Sequence, residues 1–595
     1  MKRMILALLV LALLFTACDT TTDATEAADA PTEAVETTDG AATDDASATD
    51  GAADITEEAS GTMQDGTYTQ TAHGYGGEMT VDVVIEGGEL ADVTIGDNQE
   101  TVPVFSRAKP LIEERMVEAK SPAIHAVSGA TFSTNAAKQA VKAAMEEAGA
   151  TNVETDVIET MEMEIGDTVT TDVLVIGGGP SGLSAAIEAK AAGVENVLLI
   201  EKLDILSGNG KFDMNFFDLI NSEAMAANDV EVTKEEFIAS KADAVDSEAR
   251  VQAWADGSWE LDEWLRGFGV ELNYNYGGEK GTNHMAEEDE YAGDHIQMGL
   301  EAHAKELGVE IRTGTRAVDL IMEDGAVKGA KVNAHKLEYD IEADAVIVAT
   351  GGFSHNPELL AEYAPGAENI ATSNQMGATG DFVTIFQEHD IQMDHMDILT
   401  VFRMILTRNR ELTGAGDGFI WVNQDGERFV DESSAGLELA QTIKEQDKVF
   451  YVYDQRLKDS MYRLTKHNEL GYHVSADSVE ALAEEIGIDA AALQASIDQY
   501  NAGVTGEAED PIRPEPSEFV IDTDGPLYAA QIESAIHMTK GGVVANENAQ
   551  VLNNADEVVP GLYASGEVTD TTGAYSASVV FGRIAGQQAA AFVME

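Results

Sequence analysis

The clearest chemistry in the sequence lies in a glycine-rich turn. Val173-Leu174-Val175-Ile176 predicts a buried strand, and Gly177-Gly178-Gly179-Pro180-Ser181-Gly182 follows at once, ahead of a helix expected from Leu183. In such a turn the first glycine makes the bend, the second admits a pyrophosphate, and the third lets helix and strand pack closely. The free N–H groups at the helix N-terminus face the phosphates. The predicted dinucleotide contacts are Gly177, Gly179, Pro180, Ser181 and Gly182.

An acidic residue after the next strand supports this interpretation. Val197-Leu198-Leu199-Ile200 predicts a strand that ends at Glu201, and Lys202 follows. The carboxylate of Glu201 can accept hydrogen bonds from a ribose. A glycine motif alone is a weak signal, but one between a strand and a helix, with this acid, is specific. The turn by itself leaves both FAD and NAD open.

Further glycine segments favour FAD. They are Ala349-Thr350-Gly351-Gly352, Ala378-Thr379-Gly380-Asp381, a strand over 560–568 that contains Gly566-Glu567, and Phe581 to Gly586 at a C-terminal helix. Together these segments closely resemble the fumarate reductase flavoprotein family over about residues 170–595. The resemblance implies FAD, bound covalently or non-covalently, in a Rossmann-like domain with a capping domain over the substrate. The segment from Ser207 to Gly210 has no histidine for covalent attachment, which favours non-covalent FAD. It implies further FAD contacts at Lys202, Asn209, Gly210, Thr350, Gly351, Gly380, Asp381, Gly566, Glu567 and Ser578.

A second flavin site is predicted near the N-terminus. Ser128-Gly129-Ala130-Thr131 resembles the flavinylation motif of FMN-binding domains, and Gly74 to Gly77 and Glu100-Thr101 also resemble that domain. The resemblance implies FMN joined to Thr131 by a phosphoester that an FMN transferase makes. A helix N-terminus suits a phosphate. The family usually has Asp three residues before the serine, where this chain has His125. The alternative is that Ser128 to Thr134 only caps a helix.

The usual catalytic residues of the family are missing. Flavin reduction of an activated C=C bond needs a hydride, an acid for the α-carbon and a donor for the developing enolate. Gly426 to Glu432 resembles the segment that precedes the arginine used by fumarate reductases as the proton donor. In this chain the position of that arginine is occupied by Gly436. Met538 takes the place of a substrate histidine, and Gly573 to Ser578 lacks the carboxylate-binding arginine. These differences argue against fumarate as the substrate.

Three residues remain as catalytic candidates. Tyr575 is the candidate proton donor, because ketosteroid-type relatives use tyrosines, and His537 and Arg403 accompany it. The alternatives are that the tyrosine only packs and that Arg403, with Arg408 and Arg410, lines a solvated face. The histidines lack metal-ligand spacing, so we expect no catalytic metal. With a single cysteine, Cys18, the chain cannot ligate an iron–sulfur cluster or attach a c-type haem.

The elements that must position these groups indicate an α/β protein of several domains. We expect a small α+β FMN-binding domain over 63–149, with strands at Met79–Ile85 and Leu90–Ile95 and a helix from about Asn135 to Ala148, capped by Ser133 or Thr134. A linker over 150–169 leads to a Rossmann-like FAD-binding domain over 170–367 and 516–595. An α+β capping domain is expected as an insertion over 368–515.

The N-terminus predicts export. Lys2 and Arg3 precede an apolar run from Met4 to Phe15, shorter than the ~20 residues that span a bilayer. Leu14 to Cys18 resembles a bacterial lipobox, which implies a signal over 1–18, a lipid on Cys18 and anchoring to the outer face of the cell membrane. The alternative is an ordinary signal peptide. Residues 19–62 predict a disordered acidic tether. The net charge of −73 argues against nucleic acid as a partner.

Three functions fit this sequence. The first is an exported reductase that takes electrons from a membrane donor through FMN and FAD to an enoate or enone, a small-molecule acceptor. The second is a dehydrogenase of ketosteroid type that runs the FAD chemistry in the other direction. The third is an extracellular electron carrier without a dedicated organic substrate.

Overall fold

The computed structural model describes residues 63–157, 162–206, 208–211, 217–241, 245–277, 281–287, 290–414, 416–571 and 575–595. The chain divides into two units, Met1–Thr56 and Glu57–Glu595, and the described residues all belong to the second. The predicted signal, Cys18 and most of the tether therefore lie in the first unit, outside the described residues. Within the described ranges, no helix combines the length and the apolar character needed to cross a membrane.

The first described domain is a three-stranded antiparallel sheet covered by two helices. Its elements are β1 (Gly66–His73), β2 (Glu78–Glu86), β3 (Glu89–Asn98), α1 (Val102–Ala119) and α2 (Thr131–Glu147). Alternate residues of β2 are buried, so one face of the sheet packs against the helices. The two strands predicted from the sequence are confirmed as β2 and β3.

The helix that follows the flavinylation motif begins earlier than the sequence predicted. Its first residue is Thr131 and its N-cap is Ala130, so the prediction that Ser133 or Thr134 caps it is wrong. The hydroxyl of Thr134 instead donates to the carbonyl oxygen of Ala130 at 2.8 Å, one turn back along the helix. Serine and threonine commonly make this bond inside helices as well as at caps.

The remaining elements follow in two groups. The first group is β4 (Glu164–Ile165), β5 (Val169–Ile176), α3 (Pro180–Ala191), β6 (Val197–Ile200), β7 (Phe217–Asp218), α4 (Glu223–Ala227), α5 (Lys234–Ala239), α6 (Glu248–Arg266), β8 (Tyr274–Gly277), β9 (Asn283–Met285), α7 (Gly293–Glu306), β10 (Glu310–Arg312), β11 (Thr315–Glu323), β12 (Ala326–Ala334), β13 (Leu337–Val348) and α8 (Pro357–Tyr363). The second is β14 (Ala371–Thr372), α9 (Asp381–Glu388), β15 (Met393–Asp394), β16 (Leu399–Leu406), β17 (Phe419–Asn423), α10 (Gly436–Lys444), β18 (Val449–Asp454), α11 (Gln455–Ser460), α12 (Tyr462–Glu469), β19 (Val474–Ala476), α13 (Val479–Ile486), α14 (Ala490–Thr505), β20 (Leu527–Thr539), β21 (Gly542–Val543), β22 (Gln550–Leu552), β23 (Val558–Ala564) and α15 (Tyr575–Met594).

The predicted Rossmann-like unit is confirmed. In the described part of the chain, its sheet runs β10-β6-β5-β13-β12-β11, and β23 also pairs with β13. The strands β10, β6, β5, β13 and β23 are parallel, so their carboxyl ends meet at one edge. Helices α3 and α15 pack on one face, and α9 packs on the other. Ligands of such sheets bind at the carboxyl edge, where the glycine turn lies.

The capping domain is built on a second, mostly antiparallel sheet. Its described strands run β14-β20-β18-β17, with β16 and β19 also on β20. Helices α10 to α12 pack on one face, and α13 and α14 pack on the other. The sheet extends past residue 515, where the sequence placed the return to the FAD-binding domain, because β20 supplies its longest strand. Residue 539, the end of β20, is thus brought next to the glycine segments at 351–353.

Candidate flavin sites

The glycine turn has a geometry that only glycine can adopt at two positions. Gly177 has φ +116°, and a Cβ there would lie 2.3 Å from the carbonyl oxygen of Ala349. A Cβ on Gly182 would lie 1.9 Å from the carbonyl oxygen of Gly177. Because Gly177 and Gly182 have no Cβ, the end of β5, the start of α3 and the end of β13 can pack closely together. Gly179 is the N-cap of α3 and Pro180 is its first residue, so the helix N-terminus faces the edge of the sheet.

Charged side chains cluster beside the glycine turn, after the end of β6. Glu201 accepts hydrogen bonds from the backbone N–H of Gly178 and of Leu203, both at 2.9 Å. Lys202 donates to Asp381 at 2.9 Å, and Arg316 reaches the same carboxylate at 2.8 Å. Burial alone would raise the pKa of Asp381, but Lys202 and the other donors outweigh it and lower that pKa. The group is therefore ionised, which anchors α9 to the strand β11 and the segment after β6.

These residues line one cavity, which we call the dinucleotide cavity. It encloses about 1120 Å³ between atoms, counting the space open to solvent. Of the predicted FAD contacts it is lined by Gly177, Gly179, Pro180, Ser181, Glu201, Lys202, Asn209, Gly210, Thr350, Gly351, Asp381, Gly566, Glu567 and Ser578. Gly182 and Gly380 lie just behind its wall. A Cβ added to Gly351, with φ +74°, would meet no atom within 4 Å. The backbone therefore leaves room at the wall, as a bound dinucleotide requires.

Glu567 is another acid at the wall of this cavity. Its Oε1 accepts from the backbone N–H of Thr539 at 3.1 Å, and its Oε2 accepts from Nδ2 of Asn209 at 3.2 Å. Burial raises the pKa of Glu567 to about 7, against the hydrogen bonds from Thr539 and Asn209, which lower it. A carboxyl group that keeps its proton near neutral pH can both donate to and accept from a flavin polyol.

The Glu567→Gln variant, stripped of FAD, should be more stable than the wild type at pH 8 and gain nothing at pH 4.5. The pKa of Glu567 is near 4.5 in the unfolded chain and about 7 in the folded protein. Its contribution to the free energy of unfolding is therefore full below pH 4.5 and is lost as the pH rises through 7. Glutamine cannot ionise, and the expected gain at pH 8 is about 3 kcal/mol at most. Denaturant unfolding at both pH values measures it. Glu557→Gln, at an exposed site, is the control. An equal gain at both pH values contradicts the assignment.

A second cavity lies between the FMN-binding domain, the FAD-binding domain and the capping domain, and we call it the interdomain cavity. It encloses about 3430 Å³ on the same basis. The FMN-binding domain contributes Thr131, Phe132 and the segment from Gln99 to Phe105. The other walls come from residues 373–376, from 407–412 and from the end of α12. The predicted flavinylation site therefore opens into the space between the domains.

Thr131 has the surroundings that a phosphate ester requires. It is the first residue of the 17-residue helix α2, whose N-cap Ala130 makes no side-chain cap hydrogen bond. The N–H groups of the first helical turn are thus available for an anion. Next to it, the ring of Phe132 is 66% exposed and lies 6.2 Å from the ring of Tyr75. These two aromatic side chains, both at the wall of the interdomain cavity, can contact a planar ring system.

Asn209, Gln375 and His537 line both cavities. His537 is near the end of β20, where its Nδ1 lies 2.9 Å from the hydroxyl of Ser373 and its ring packs edge-on against Phe402 at 4.2 Å. Burial, and then the nearby charge of Arg463, lower the pKa of His537 to about 4. The imidazole is therefore neutral at physiological pH and carries one N–H group. The two sites meet at a wall of neutral hydrogen-bonding side chains.

The other catalytic candidates are placed apart. Tyr575 lines the dinucleotide cavity, its hydroxyl donates to the carbonyl oxygen of Gly293 at 3.2 Å, and burial raises its pKa well above the ordinary value. Arg403 lines neither cavity: its Nη1 donates to the backbone oxygen of Glu432 at 2.9 Å. Arg410 does line the interdomain cavity, with Nε 3.3 Å from the hydroxyl of Tyr75. The structure thus brings Tyr575 and His537 to the sites and leaves Arg403 inside the capping domain.

Two residues of the sites were missed in the sequence. Gln375 lines both cavities, and Arg316 binds the carboxylate of Asp381. Gln375 could have been predicted from the sequence, because it lies three residues before the glycine segment Ala378-Thr379-Gly380-Asp381. Arg316 has no such signal in the sequence, since it is an exposed side chain on β11 and belongs to none of the recognised motifs.

A Rossmann-like dinucleotide site, a capping domain and a flavin-bearing domain define a two-flavin oxidoreductase. Residues 172–578 match the FAD binding domain family, and residues 74–146 match the FMN-binding domain family. The chain belongs to the fumarate reductase family of FAD-dependent flavoproteins. It is accordingly an oxidoreductase that acts on CH–CH or C=C groups, with FAD and FMN as its cofactors.

Three comparisons place it within that family. A probable fumarate reductase of Shewanella frigidimarina is 32% identical over 72% of this chain and 76% of its own length. The urocanate reductase of Eggerthella lenta is 29% identical over 88% of this chain and 92% of its own. The open conformation of a flavocytochrome c3 fumarate reductase superposes with a TM-score of 0.66, at 30% identity, over 72% of this chain and 80% of that one.

Proposed function

We propose that this protein is an exported reductase in which FMN on Thr131 passes electrons to FAD, and FAD reduces a small organic acceptor with an activated C=C bond. One observation carries the proposal. Thr131 lines the interdomain cavity, and Asn209, Gln375 and His537 line both this cavity and the dinucleotide cavity. A flavin on Thr131 and a dinucleotide at the glycine turn would therefore approach the same three side chains. The lipobox-like segment supports a lipid anchor on Cys18, an extracytoplasmic position and a membrane electron donor, and the Ser-Gly-Ala-Thr motif supports an FMN transferase as partner.

The residues at the shared wall fit the reduction of a conjugated acceptor. Reduced FAD supplies the hydride for the β-carbon when it is bound. The neutral imidazole of His537 can donate its single N–H to the acceptor oxygen, where negative charge develops. Tyr575 lies beside this wall, at the dinucleotide cavity only; burial raises its pKa, so its hydroxyl stays protonated and it remains our candidate proton donor for the α-carbon. In this arrangement His537 would orient the acceptor, and the capping domain would exclude water.

The walls of the interdomain cavity favour an acceptor with an apolar body and one polar end. Four exposed apolar side chains line it: Val102, Phe132, Met376 and Leu470. Its charged groups are mixed, with the cations Arg408, Arg410 and Lys466 and the acids Glu100, Asp294, Glu411 and Glu533. Such a wall gives a dicarboxylate no excess of positive charge. An enone or a monocarboxylic enoate fits it better than fumarate does.

Anaerobic titration tests this function. Photoreduced protein carrying both flavins should be reoxidised by an enone or a monocarboxylic enoate, with the saturated product recovered in proportion to the flavin electrons. Fumarate, added in parallel, should react far more slowly. Reduction of the oxidised protein by saturated compounds would instead identify a dehydrogenase. A reduced protein that none of the unsaturated compounds reoxidises would leave the reductase proposal without support.

A further inference from the structure

The loop that carries Thr131 is held by a carboxylate of another domain. Oδ2 of Asp204 accepts from the backbone N–H of Ser128 at 2.8 Å and from its hydroxyl at 3.0 Å. The backbone N–H of Asp204 donates to the same hydroxyl oxygen at 2.7 Å. Arg115, on α1, completes the contact with Nη2 2.9 Å from Oδ1 of Asp204. Asp204 belongs to the segment after β6, next to the FAD contacts Glu201 and Lys202.

The neighbouring residue fixes the same loop by packing. Ile205 is only 3% exposed, although it belongs to the FAD-binding domain, because its side chain is buried in the core of the FMN-binding domain. A Cβ on Gly129 would lie 3.2 Å from Cδ1 of Ile205, so the two segments are in close contact. The polar contact of Asp204 and the apolar contact of Ile205 therefore act on consecutive residues of the flavinylation motif.

A second connection joins α1 to the glycine turn. Arg107 forms ion pairs with Asp294 at 2.9 Å and Glu301 at 3.1 Å, both on α7. Gln297, also on α7, donates to Glu301 at 3.0 Å and to the carbonyl oxygen of Gly178 at 3.2 Å. The FMN-binding domain is thus connected to two of the segments that line the dinucleotide cavity, directly to the segment after β6 and through α7 to the glycine turn.

The sequence pattern gives this carboxylate a particular meaning. FMN-binding domains of this type usually have Asp three residues before the serine of the motif, and this chain has His125 there. The serine nevertheless contacts a carboxylate, and it is supplied by the FAD-binding domain. Burial alone would raise the pKa of Asp204, but the hydrogen bonds from Arg115 and Ser128 outweigh it and lower that pKa. Asp204 is therefore charged at neutral pH.

We propose that Asp204 is a positioning residue for electron transfer between the two flavins. By holding Ser128, three residues before Thr131, it keeps the flavin-bearing helix start against the wall that the two cavities share. This proposal rests on the proposed function, because it requires FMN on Thr131. Loss of the carboxylate would remove the charged partner of the half-buried Ser128 N–H and of Arg115, and it would favour conformations in which the loop has left the FAD-binding domain.

Asp204→Asn, in the full chain loaded with both flavins, tests the proposal. Laser-flash reduction with a deazariboflavin radical, followed by absorbance, should show transfer between the flavins slowed about tenfold, the effect expected from losing a charge-assisted contact. FMN and FAD content, and reoxidation of directly reduced FAD by the acceptor, should match the wild type. Ser128→Ala, which removes the hydroxyl on the other side, should slow transfer in the same direction.

Asp319→Asn is the matched control. Asp319 is another carboxylate of the FAD-binding domain, and it binds Lys331 at 2.9 Å and His389 at 2.8 Å, away from the FMN-binding domain. The Asp319→Asn protein should transfer electrons between the flavins at the wild-type rate. A fully loaded Asp204→Asn protein with wild-type transfer would overturn the proposal. Absence of FMN from Thr131 in the wild type itself, shown by mass spectrometry, would instead overturn the two-flavin function on which the proposal depends.

Discussion

Thr131→Val should remove covalent FMN and reduce donor-driven turnover by about 10²-fold or more, because free FMN cannot match the effective concentration of a tethered flavin. The hydroxyl is the atom that the phosphoester needs, and valine has nearly the same shape without it. FAD should remain bound, since Thr131 does not line the dinucleotide cavity. Mass spectrometry of the denatured chain, in-gel fluorescence and turnover with the physiological donor measure the three effects.

Thr94→Val is the matched control for this experiment. Thr94 is an exposed residue of β3 in the same domain, and it does not line the interdomain cavity. The same substitution there should leave FMN incorporation and turnover close to those of the wild type. If Thr131→Val still carries a flavin that survives denaturation, the attachment site lies elsewhere. If it loses FMN but keeps full donor-driven turnover, electrons reach FAD by another route.

The sequence was most informative where local sterics leave little choice. The turn from Gly177 to Gly182 is recognisable because a Cβ on either Gly177 or Gly182 would lie within 2.3 Å of a backbone carbonyl oxygen. No other residue fits at these two positions. Glu201 and Asp381 were found because each follows a short pattern at a fixed distance. Most of the residues predicted as FAD contacts line one cavity, although Gly182 and Gly380 do not. In each case the chemistry depends on neighbours within a few residues.

Contacts between distant segments could not be predicted in this way. Asp204 and Ser128 are 76 residues apart, and Arg107 and Asp294 are 187 residues apart. No local pattern marks such pairs, since any exposed acid could pair with any loop. The position of β20 in the capping sheet has the same origin, because its partners β16 and β18 precede it by a long stretch of chain.

The sequence also did not predict which side chains of a cluster line a cavity. Arg403, Arg408 and Arg410 form one basic cluster in the sequence, yet only the last two line the interdomain cavity. Arg403 lies on β16, and its guanidinium lies 5.9 Å from the rings of Phe419 and Trp421. Burial lowers the pKa of Arg403. Arg408 and Arg410 follow the end of β16, whereas Arg403 lies within the strand, whose pairing with β20 fixes its place in the sheet.

His537→Leu should slow reduction of the acceptor by about 10²–10³-fold, because it removes a hydrogen-bond donor at the oxygen where charge develops. His537→Gln keeps an N–H donor and should lose less. The pKa of about 4 means that His537 stays neutral from pH 5 to 8, so the rate should show no histidine ionisation near 6.5. As the pH falls from about 6.5 to about 4, the unfolded chain binds a proton that the folded imidazole does not, so the folded protein loses stability over that range and no further below it.

Single-turnover kinetics separate this role from a structural one. Reoxidation of prereduced FAD by the acceptor should slow in His537→Leu, whereas transfer from FMN to FAD should continue at the wild-type rate. His389→Leu, a histidine that binds Asp319 outside both cavities, should leave both steps unchanged. Tyr575→Phe removes the proposed proton donor, and if that step carries the proton, its rate should fall and show a larger solvent isotope effect. Wild-type reoxidation in His537→Leu would show that the acceptor oxygen is bound by another group, and Arg410, a cation at the wall of the interdomain cavity, would be the next to replace.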